Sequence, residues 1–545
     1  MLIPLAFMLV AGFLAILKWH SHYAAKKLLI EKQLQIAREE LAALEGKHHA
    51  FDDGQNFIHR SQSYTYDFDI FGPDSLFQKI NRSITPGGAS TLALWFNKPE
   101  LNPDVLREKQ AAVAELAEKS ALRMDFRARG LMIKSSFSEY RNLVGWLRER
   151  DLFYGKQVFK ILIILFSTLN LLSTLLYALG LIPGSLVLAG LFTALVIVGF
   201  YQKQINRIHQ GISSRVKLLM KYVQLFRMVE QEQFESAHLQ ALQNTFGKEK
   251  QSASYEIRRL SKILSALDTR LNVFAGILLN AYFLWDFIQM SRLEKWRRQN
   301  REQLREWFSA LSRFDALCSL GTLKFNHPHW IFPELTANDF ELKARNIKHP
   351  MMAPEVCVGN DIEVPGRPHF KIITGANMAG KSTFLRSVGT NMLLAMMGAP
   401  VAADAFRLSP VNLISSIRTK DSLMKNESYF YAEIKRLELI IRRLKKGERL
   451  FVFLDEILKG TNSKDKEQGS KALLQQLIEL NAVGIIATHD LNLGIISQTF
   501  EQHIENLCFE VEIRDGALFF DYKIRPGIAQ NMSATYLMRE MGITV

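Results

Sequence analysis

Cysteine is scarce in this chain: Cys318, Cys357 and Cys508 are the only three in 545 residues. Thiols so few and so scattered exclude a disulfide framework and a cysteine-built metal cluster, and they suit a reducing compartment. Acid is also short, with 54 Asp and Glu against 68 Lys and Arg. The resulting net charge of +14 implies a polyanionic neighbour, either nucleic acid or an anionic membrane surface. A third shortage is local: no side chain from Ile161 to Gln202 is charged, and Met1 to Leu17 carries no side-chain charge either. At this length several domains are expected rather than one core.

The two uncharged runs predict membrane segments. Pro183-Gly-Ser185 lies near the midpoint of Ile161–Gln202, and each half is about the 20 residues a helix needs to cross a bilayer. Ser167, Thr168, Asn170, Ser173 and Thr174 do not form the polar stripe that a buried helical pair of a water-soluble core would show to solvent over its whole length. Residues 156–203 are therefore read as a transmembrane helical hairpin and 1–20 as an amino-terminal anchor. The anchor has no basic stretch ahead of it, as a signal peptide would; Lys18, Lys26 and Lys27 follow it instead. Lys156 and Lys160 precede the hairpin, Lys203 and Arg207 follow it, and its turn is uncharged. The positive-inside rule then puts the amino terminus outside. Three crossings make a multi-pass protein of the cytoplasmic membrane, in contact with lipid, with everything after Lys203 in the cytoplasm. The apolar stretch Leu271–Trp285 is shorter and contains Asn272 and Asn280, so it is expected to be a buried core helix rather than a span.

Outside these segments, residues 21–63 read as a helical stalk. Residues 64–155 and 204–330 read as the two halves of an all-α helical core, with apolar side chains every three or four positions in 101–150 and 204–316. Turn signals stand at Gly72-Pro73 and Pro86-Gly-Gly88. The basic run from Arg292 to Arg305 is interleaved with Glu294 and Glu302, the pattern of a solvated helix face. From 331 to 545, short β-rich runs alternate with helices, the pattern of an α/β domain. Arg514-Asp-Gly516 between two such runs signals a hairpin.

The sharpest motif is Gly375-Ala-Asn-Met-Ala-Gly-Lys-Ser-Thr383. It satisfies G-x-x-x-x-G-K-[ST] between a predicted strand, Phe370–Thr374, and a predicted helix, Ser382–Met397. At average composition that pattern arises by chance about 0.02 times in a chain this long. Glycines let the backbone wrap an anion, so that N–H groups and a helix N-terminus face phosphates. Gly375, Ala376, Asn377, Met378, Ala379, Gly380, Lys381, Ser382 and Thr383 are thus expected to bind ATP. Lys381 would reach the β- and γ-phosphates and Ser382 would take a position on Mg²⁺.

Leu450-Phe-Val-Phe-Leu-Asp-Glu456 is an apolar run ending in two carboxylates. Following a P-loop, this is the Walker B arrangement, with Asp455 holding Mg²⁺ through water and Glu456 orienting or deprotonating the attacking water. Thr488-His489-Asp490 ends the next apolar run and places His489 to contact the γ-phosphate.

Together these segments resemble the MutS family, the ABC-type ATPases of DNA mismatch repair and their relatives. Asn377-Met378 within the loop is similar to the family's Gly-Pro-Asn-Met-Gly-Gly-Lys-Ser form, with Ala376 and Ala379 as departures. Ser428-Tyr-Phe-Tyr-Ala-Glu433 resembles its Ser-Thr-Phe-x-x-Glu signature, Asp455-Glu-Ile-Leu-Lys-Gly-Thr461 its Asp-Glu-Ile-Gly-Arg-Gly-Thr, and Ala487-Thr-His489 its Ala-Thr-His. Asp67-Phe-Asp-Ile-Phe-Gly72 with Asn81-Arg82 and Trp95-Phe96 resembles the opening of the family's helical core, and Asn280 to Asp286 its later helices. The resemblance implies a P-loop ATPase domain of ABC/MutS type beside an all-α lever core that carries the inserted hairpin. It also implies a homodimer closing through its ATPase domains, with Ser428 completing the partner's nucleotide site, and DNA as a partner. Only the anchor and stalk precede the core, so the family's mismatch-reading domain is not expected, and Phe137-Ser-Glu139 lies in a helical region rather than in a mismatch wedge. No extra dimerisation helices are expected before Val545.

Two functions follow. One is a membrane-anchored ATPase of this type that acts on DNA. The other is a membrane mechanotransducer whose ATPase cycle moves the transmembrane helices with no DNA partner.

Overall fold

The computed structural model describes residues 2–58, 63–133, 137–376, 378–418, 429–458, 463–495, 500, 502–514 and 517–530. Helices dominate up to Asn326, and three sheets with flanking helices follow among the described residues. Two very long helices begin in the apolar runs. Leu2–Leu44 is one continuous helix, so the two segments read as anchor and stalk form a single element. Its first half exposes Phe7, Met8, Phe13 and Ile16, while its second half docks on the core. There Glu40 accepts from Arg82 Nε at 2.6 Å and Glu39 from Arg127 Nη2 at 2.8 Å, and Ile36 is buried. Helix Gly184–Gln231 likewise runs unbroken from the apolar run into the core. Val187, Ala194, Val198, Ile205, Ile212, Val216, Leu219, Val223 and Phe226 are buried along it, a three-, four- and seven-residue spacing that keeps one seam facing its neighbours.

Among the described residues, Gln157–Ala178 and Gly184–Gln231 are the two helices long and apolar enough to cross a membrane. They pack side by side. Within the uncharged run, large side chains such as Leu165, Leu172, Leu188 and Phe192 face outward.

The stretch expected to be a buried core helix is not one. Val273–Phe283 is a helix, but Leu271, Val273, Phe274, Ile277 and Leu278 are exposed. It lies against the two apolar helices, not inside the core. Asn272 supplies the N-cap, accepting from Ala275 N, and Asn280 accepts from Asp286 N at 3.0 Å. These polar residues therefore serve the helix ends and do not mark a core.

Pro86-Gly-Gly88 also differs from its expected turn: it opens helix Pro86–Asn97. Pro is preorganised for the first helical position, and Thr85 caps the helix by accepting from Gly88 N at 2.8 Å. A Cβ on Gly87 or Gly88 would strike Ser312 or Asp315 of helix Trp285–Asn326, so the two glycines allow close helix approach. In the basic run on that long helix, Glu294 and Arg297 are not solvated. Glu294 accepts from the backbone N–H groups of Leu152, Phe153 and Tyr154 at 2.7–2.9 Å, and buried Arg297 donates to Asp151 at 2.7 Å.

The main sheet has six strands in the spatial order Ile524–Pro526, Ile504–Phe509, His369–Gly375, Val483–Thr488, Leu450–Asp455 and Asn412–Ser416. All neighbours are parallel except the first pair. Strands 450–455 and 483–488 are buried on both faces, as parallel strands covered by helices must be. Glu512–Arg514 and Ala517–Phe519 pair antiparallel, as the hairpin signal predicts. The helical core and the sheet share one apolar cluster. Phe68 packs edge-on against Phe453 with centroids 5.2 Å apart and fills the space over Gly389.

Candidate nucleotide site

Strand His369–Gly375 sits between its two parallel neighbours and leads directly into helix Lys381–Ala395. The turn between them needs glycine at both ends. Gly375 has φ 149°, and a Cβ there would come within 2.7 Å of Phe509 O; Gly380 has φ 108°. These are conformations that side chains resist. Met378 also adopts a left-handed φ, 70°, with its side chain exposed. Lys381 is 5% exposed. Its ammonium donates to Gly375 O at 2.6 Å and Ala376 O at 2.8 Å.

Ser382 Oγ donates to Asp455 Oδ2 at 2.5 Å, joining the loop to the end of the neighbouring apolar strand. One residue on, Glu456 takes φ 51°, an uncommon backbone region for such a residue and one that clusters at functional sites. Its N–H donates to Ala487 O at 2.8 Å, and its Oε1 lies 3.2 Å from His489 Nδ1. His489 thus sits at the end of strand 483–488 facing the acid after strand 450–455.

Lys381, Ser382 and Glu456 open onto one cavity of about 520 Å³, with Ala376, Met378, Gly380 and Thr383 on the same wall. Ala379 is buried beneath it. Asn377 and Ser428 lie outside the described residues. Glu433, from the segment that resembles the signature, is buried and accepts from Leu458 N at 2.5 Å.

The opposite wall is not foreseen from the sequence. Met352, Val356, Cys357, Phe509 and Tyr522 line it. Asn360 holds the Tyr522 segment, donating to Tyr522 O at 2.9 Å and accepting from Ile524 N at 2.8 Å. Burial pushes His349 down to about 4, so a neutral imidazole supports this wall, accepting from Met351 N at 3.2 Å. No local motif marks these residues; they converge from segments more than a hundred positions apart.

Asp67 and Asp69 tie the helical core to this region. Asp67, 0% exposed, accepts from Ser415 Oγ at 2.6 Å and from Ile417 N and Arg418 N at 3.1 Å. Asp69 bonds the Arg418 guanidinium and, at 3.3 Å, Arg386 of the helix that follows the loop. Burial lowers the Arg386 pKa and neighbouring Arg418 lowers it further, while Asp69 opposes both. One short segment of the core is thereby fastened both to the loop helix and to the strand end that leads into residues 419–428.

Two family models match: MutS domain III over residues 58–321 and MutS domain V over 371–543. The chain belongs to the MutS family. It is 29% identical over 252 residues to the DNA mismatch repair protein MutS of Thermotoga maritima, covering 45% of this chain and 31% of that protein. To MutS of Chloroflexus aurantiacus it is 29% identical over 250 residues, covering 44% and 25%. To the DNA mismatch repair protein MSH3 of Phaeosphaeria nodorum it is 29% identical over 234 residues, covering 42% and 21%. The match thus spans less than a third of each of these relatives. The domain III match contains the apolar hairpin, and the domain V match contains the loop, both carboxylates and His489.

Proposed function

We propose that this MutS-family protein is a membrane-anchored ATPase that hydrolyses ATP at a composite site between two subunits and acts on DNA at the cytoplasmic face. The observation that carries the ATPase reading is the contact of Ser382 with Asp455 beside a cavity shared by Lys381 and Glu456. Backbone N–H groups of the 375–380 loop and the following helix N-terminus cradle phosphates. Lys381 exchanges its two loop carbonyls for phosphate oxygens. Ser382 and Asp455 offer hard oxygen donors, a hydroxyl and a carboxylate, suited to Mg²⁺, which takes one or two protein ligands and leaves the rest to phosphate and water. Bound there, the ion would neutralise charge on the phosphates. Glu456 takes a proton from the attacking water, and His489, 3.2 Å away, orients that carboxylate or meets the γ-phosphate. The Phe509 and Tyr522 wall offers aromatic faces for the adenine base. The signature serine, Ser428, acts in the partner's site when two such domains close face to face.

A second reading has an observation of its own. Helices Leu2–Leu44 and Gly184–Gln231 run unbroken from the apolar runs into the core, and Asp67 and Asp69 link that core to the loop helix. An ATP-driven movement would therefore reach the membrane directly, without any need for DNA.

The test is ATP turnover in lipid vesicles with and without duplex or branched DNA at two salt concentrations. Stimulation that falls steeply with salt supports DNA as partner, because phosphate contacts release counterions. Turnover indifferent to DNA at both concentrations supports the mechanotransducer. Lys381→Ala should lose ATP binding and turnover together; Glu456→Gln should bind ATP and stall. Wild-type turnover in Glu456→Gln removes the catalytic assignment.

A further inference from the structure

Helix Val273–Phe283 stands apart from the nucleotide site, yet it exposes Leu271, Val273, Phe274, Ile277 and Leu278, with Phe274 at 88%. In water this is a costly arrangement, since the penalty for exposing apolar surface grows with its area, and contiguous apolar patches mark contact surfaces. The side it buries is small and polar. Asn170, 0% exposed, donates from Nδ2 to Ala281 O at 2.8 Å. Thr174 Oγ1 lies 3.3 Å from the Tyr282 hydroxyl. Gly190 approaches so closely that an added Cβ would come within 2.5 Å of Asn170 Oδ1. Small and hydrogen-bonding residues inside, with Leu, Ile and Phe outside, is how helices pack in lipid, where apolar tails give no reason to hide apolar side chains.

The depth and path of this segment fit the same surroundings. Asn170 stands about 15 Å beyond Lys160 along a continuous helix at 1.5 Å per residue, half of a hydrocarbon layer about 30 Å thick. The chain bends by 107° between Ala253–Leu271 and Val273–Phe283 and turns again at Leu284, φ 47°. Arg270 Nε and Asp286 Oδ2 then lie 3.2 Å apart, so the excursion begins and ends at one place.

We propose that residues 271–283 form a re-entrant membrane element that enters and leaves on the side of the helical core and presents its outer face to phospholipid acyl chains. The groove between it and helix Gly184–Gln231 is about 790 Å³ and is lined by Leu188, Phe192, Leu195, Phe274, Ile277 and Leu278. It takes one acyl chain. Helix Trp285–Asn326 starts directly after Leu284, so this long core helix is rooted in lipid at its amino-terminal end. The proposal rests on the hairpin crossing the bilayer.

The test uses the full chain with Cys318, Cys357 and Cys508 replaced by alanine, in vesicles of phosphatidylethanolamine and phosphatidylglycerol. Single spin labels are placed at Phe274→Cys and Leu278→Cys, with Leu172→Cys on the hairpin and Lys262→Cys on a core helix as references. Each site is exposed, so a label displaces no packed neighbour. Labels at 274 and 278 should collide readily with oxygen and poorly with a water-soluble nickel chelate, as at 172 and opposite to 262. If 172 behaves as lipid-facing while 274 and 278 meet the nickel chelate, the re-entrant element is wrong and the hairpin stands. If 172 also meets the chelate, the membrane reading falls and takes this inference with it. Labels at 274 and 278 shielded from both reagents would mean protein cover, such as a second copy of the chain, and would overturn lipid as the occupant.

Discussion

The central sheet and the apolar helical cluster are built from similar runs, yet they place them in opposite senses. Phe451, Val452, Phe453 and Leu454 are fully buried between helices, and the buried Lys371 of the same sheet finds an acidic partner in Glu505. In the cluster formed by the uncharged run 161–202 and Val273–Phe283, the buried residues are Asn170, Val187, Ala194, Val198, Gly276, Asn280 and Ala281, while Leu172, Leu188 and Phe274 face out. Burial there follows small size and hydrogen bonding, whereas in the sheet it follows apolar area. The same amino acids thus report what surrounds them: water beside the sheet and, on the reading above, lipid beside the cluster. Substitutions of matched kind in the two regions should have unequal effects.

Glycine provides the largest contrast. A Cβ on Gly484 would lie 2.2 Å from Val452 O, a backbone atom of the adjoining strand. Gly484→Val must push these central strands apart and should cost more than about 4 kcal/mol, seen as loss of folded protein on expression. A Cβ on Gly190 meets only the side-chain oxygen of Asn170, which can turn away. Gly190→Val should therefore cost about 1–2 kcal/mol and leave a folded, membrane-associated protein with a lowered thermal midpoint. Equal damage at both sites would break the comparison.

Buried acid comes next. Asp67→Ala deprives Ser415 Oγ and the N–H groups of Ile417 and Arg418 of their acceptor, so a loss of about 3–5 kcal/mol is expected. Urea unfolding followed by tryptophan fluorescence measures it. Asp67→Asn should recover some of the loss by keeping one acceptor oxygen. Because this residue also ties the core to the strand end before 419–428, the surviving Asp67→Asn protein should show weakened dependence of core proteolysis on ATP.

Much of this contrast is legible in the sequence, but not all of it. The loop, Asp455, Glu456 and His489 are readable as one group because each stands at the end of an apolar strand run, and neighbouring parallel strands bring those ends together. The uncharged run 161–202 is readable as two long apolar helices because its only break is Pro183-Gly-Ser185. Leu271–Trp285 is misplaced because length and composition alone cannot distinguish a core helix from a short lipid-facing one; the deciding facts are contacts with Asn170 and Thr174, distant in sequence. Tyr522 and Phe509 escape for the same reason. They sit in ordinary strand patterns and become a cavity wall only through the pairing of 524–526 with 504–509. Pro86-Gly-Gly88 reads locally as a turn, and only its packing against Ser312 and Asp315 explains glycines at the start of a helix.

A buried cation sharpens the aqueous side of the comparison. Lys109 is 5% exposed, with its ammonium 3.5 Å from the centroid of Trp95. Burial pushes its pKa down to about 7; Glu100 opposes this shift and Arg313 adds to it. The unfolded chain keeps this lysine protonated up to its ordinary value near 10.5, so between pH 7 and 10.5 the unfolded state binds more protons. Stability attributable to Lys109 therefore rises with pH through that window and is lowest at and below pH 7. Lys109→Met should gain about 1–3 kcal/mol at pH 7 and flatten the rise of thermal midpoint between pH 7 and 10. A variant less stable at pH 7 would mean that the contact with Trp95 outweighs desolvation.

The smallest effect is expected where a buried polar residue faces lipid-packed helices. Asn170 makes one hydrogen bond to Ala281 O, and its Oδ1 finds no donor among the described residues. Asn170→Leu removes the bond, but it also removes that unsatisfied oxygen while keeping the same branching and number of side-chain heavy atoms. Hydrogen bonds between membrane helices average about 0.6 kcal/mol in double-mutant cycles, because the separated helices also find partners. Against this, Ala281 lies in the last turn of its helix, where carbonyls lack intrahelical donors, so its oxygen keeps some penalty after the change. The two contributions leave a net loss below about 1 kcal/mol, which a thermal scan in vesicles and in detergent should record as a small shift of the same sign. A loss as large as that of Asp67→Ala would show the cluster behaving as a water-excluded protein core, and the contrast between the two regions would fail at its most direct point.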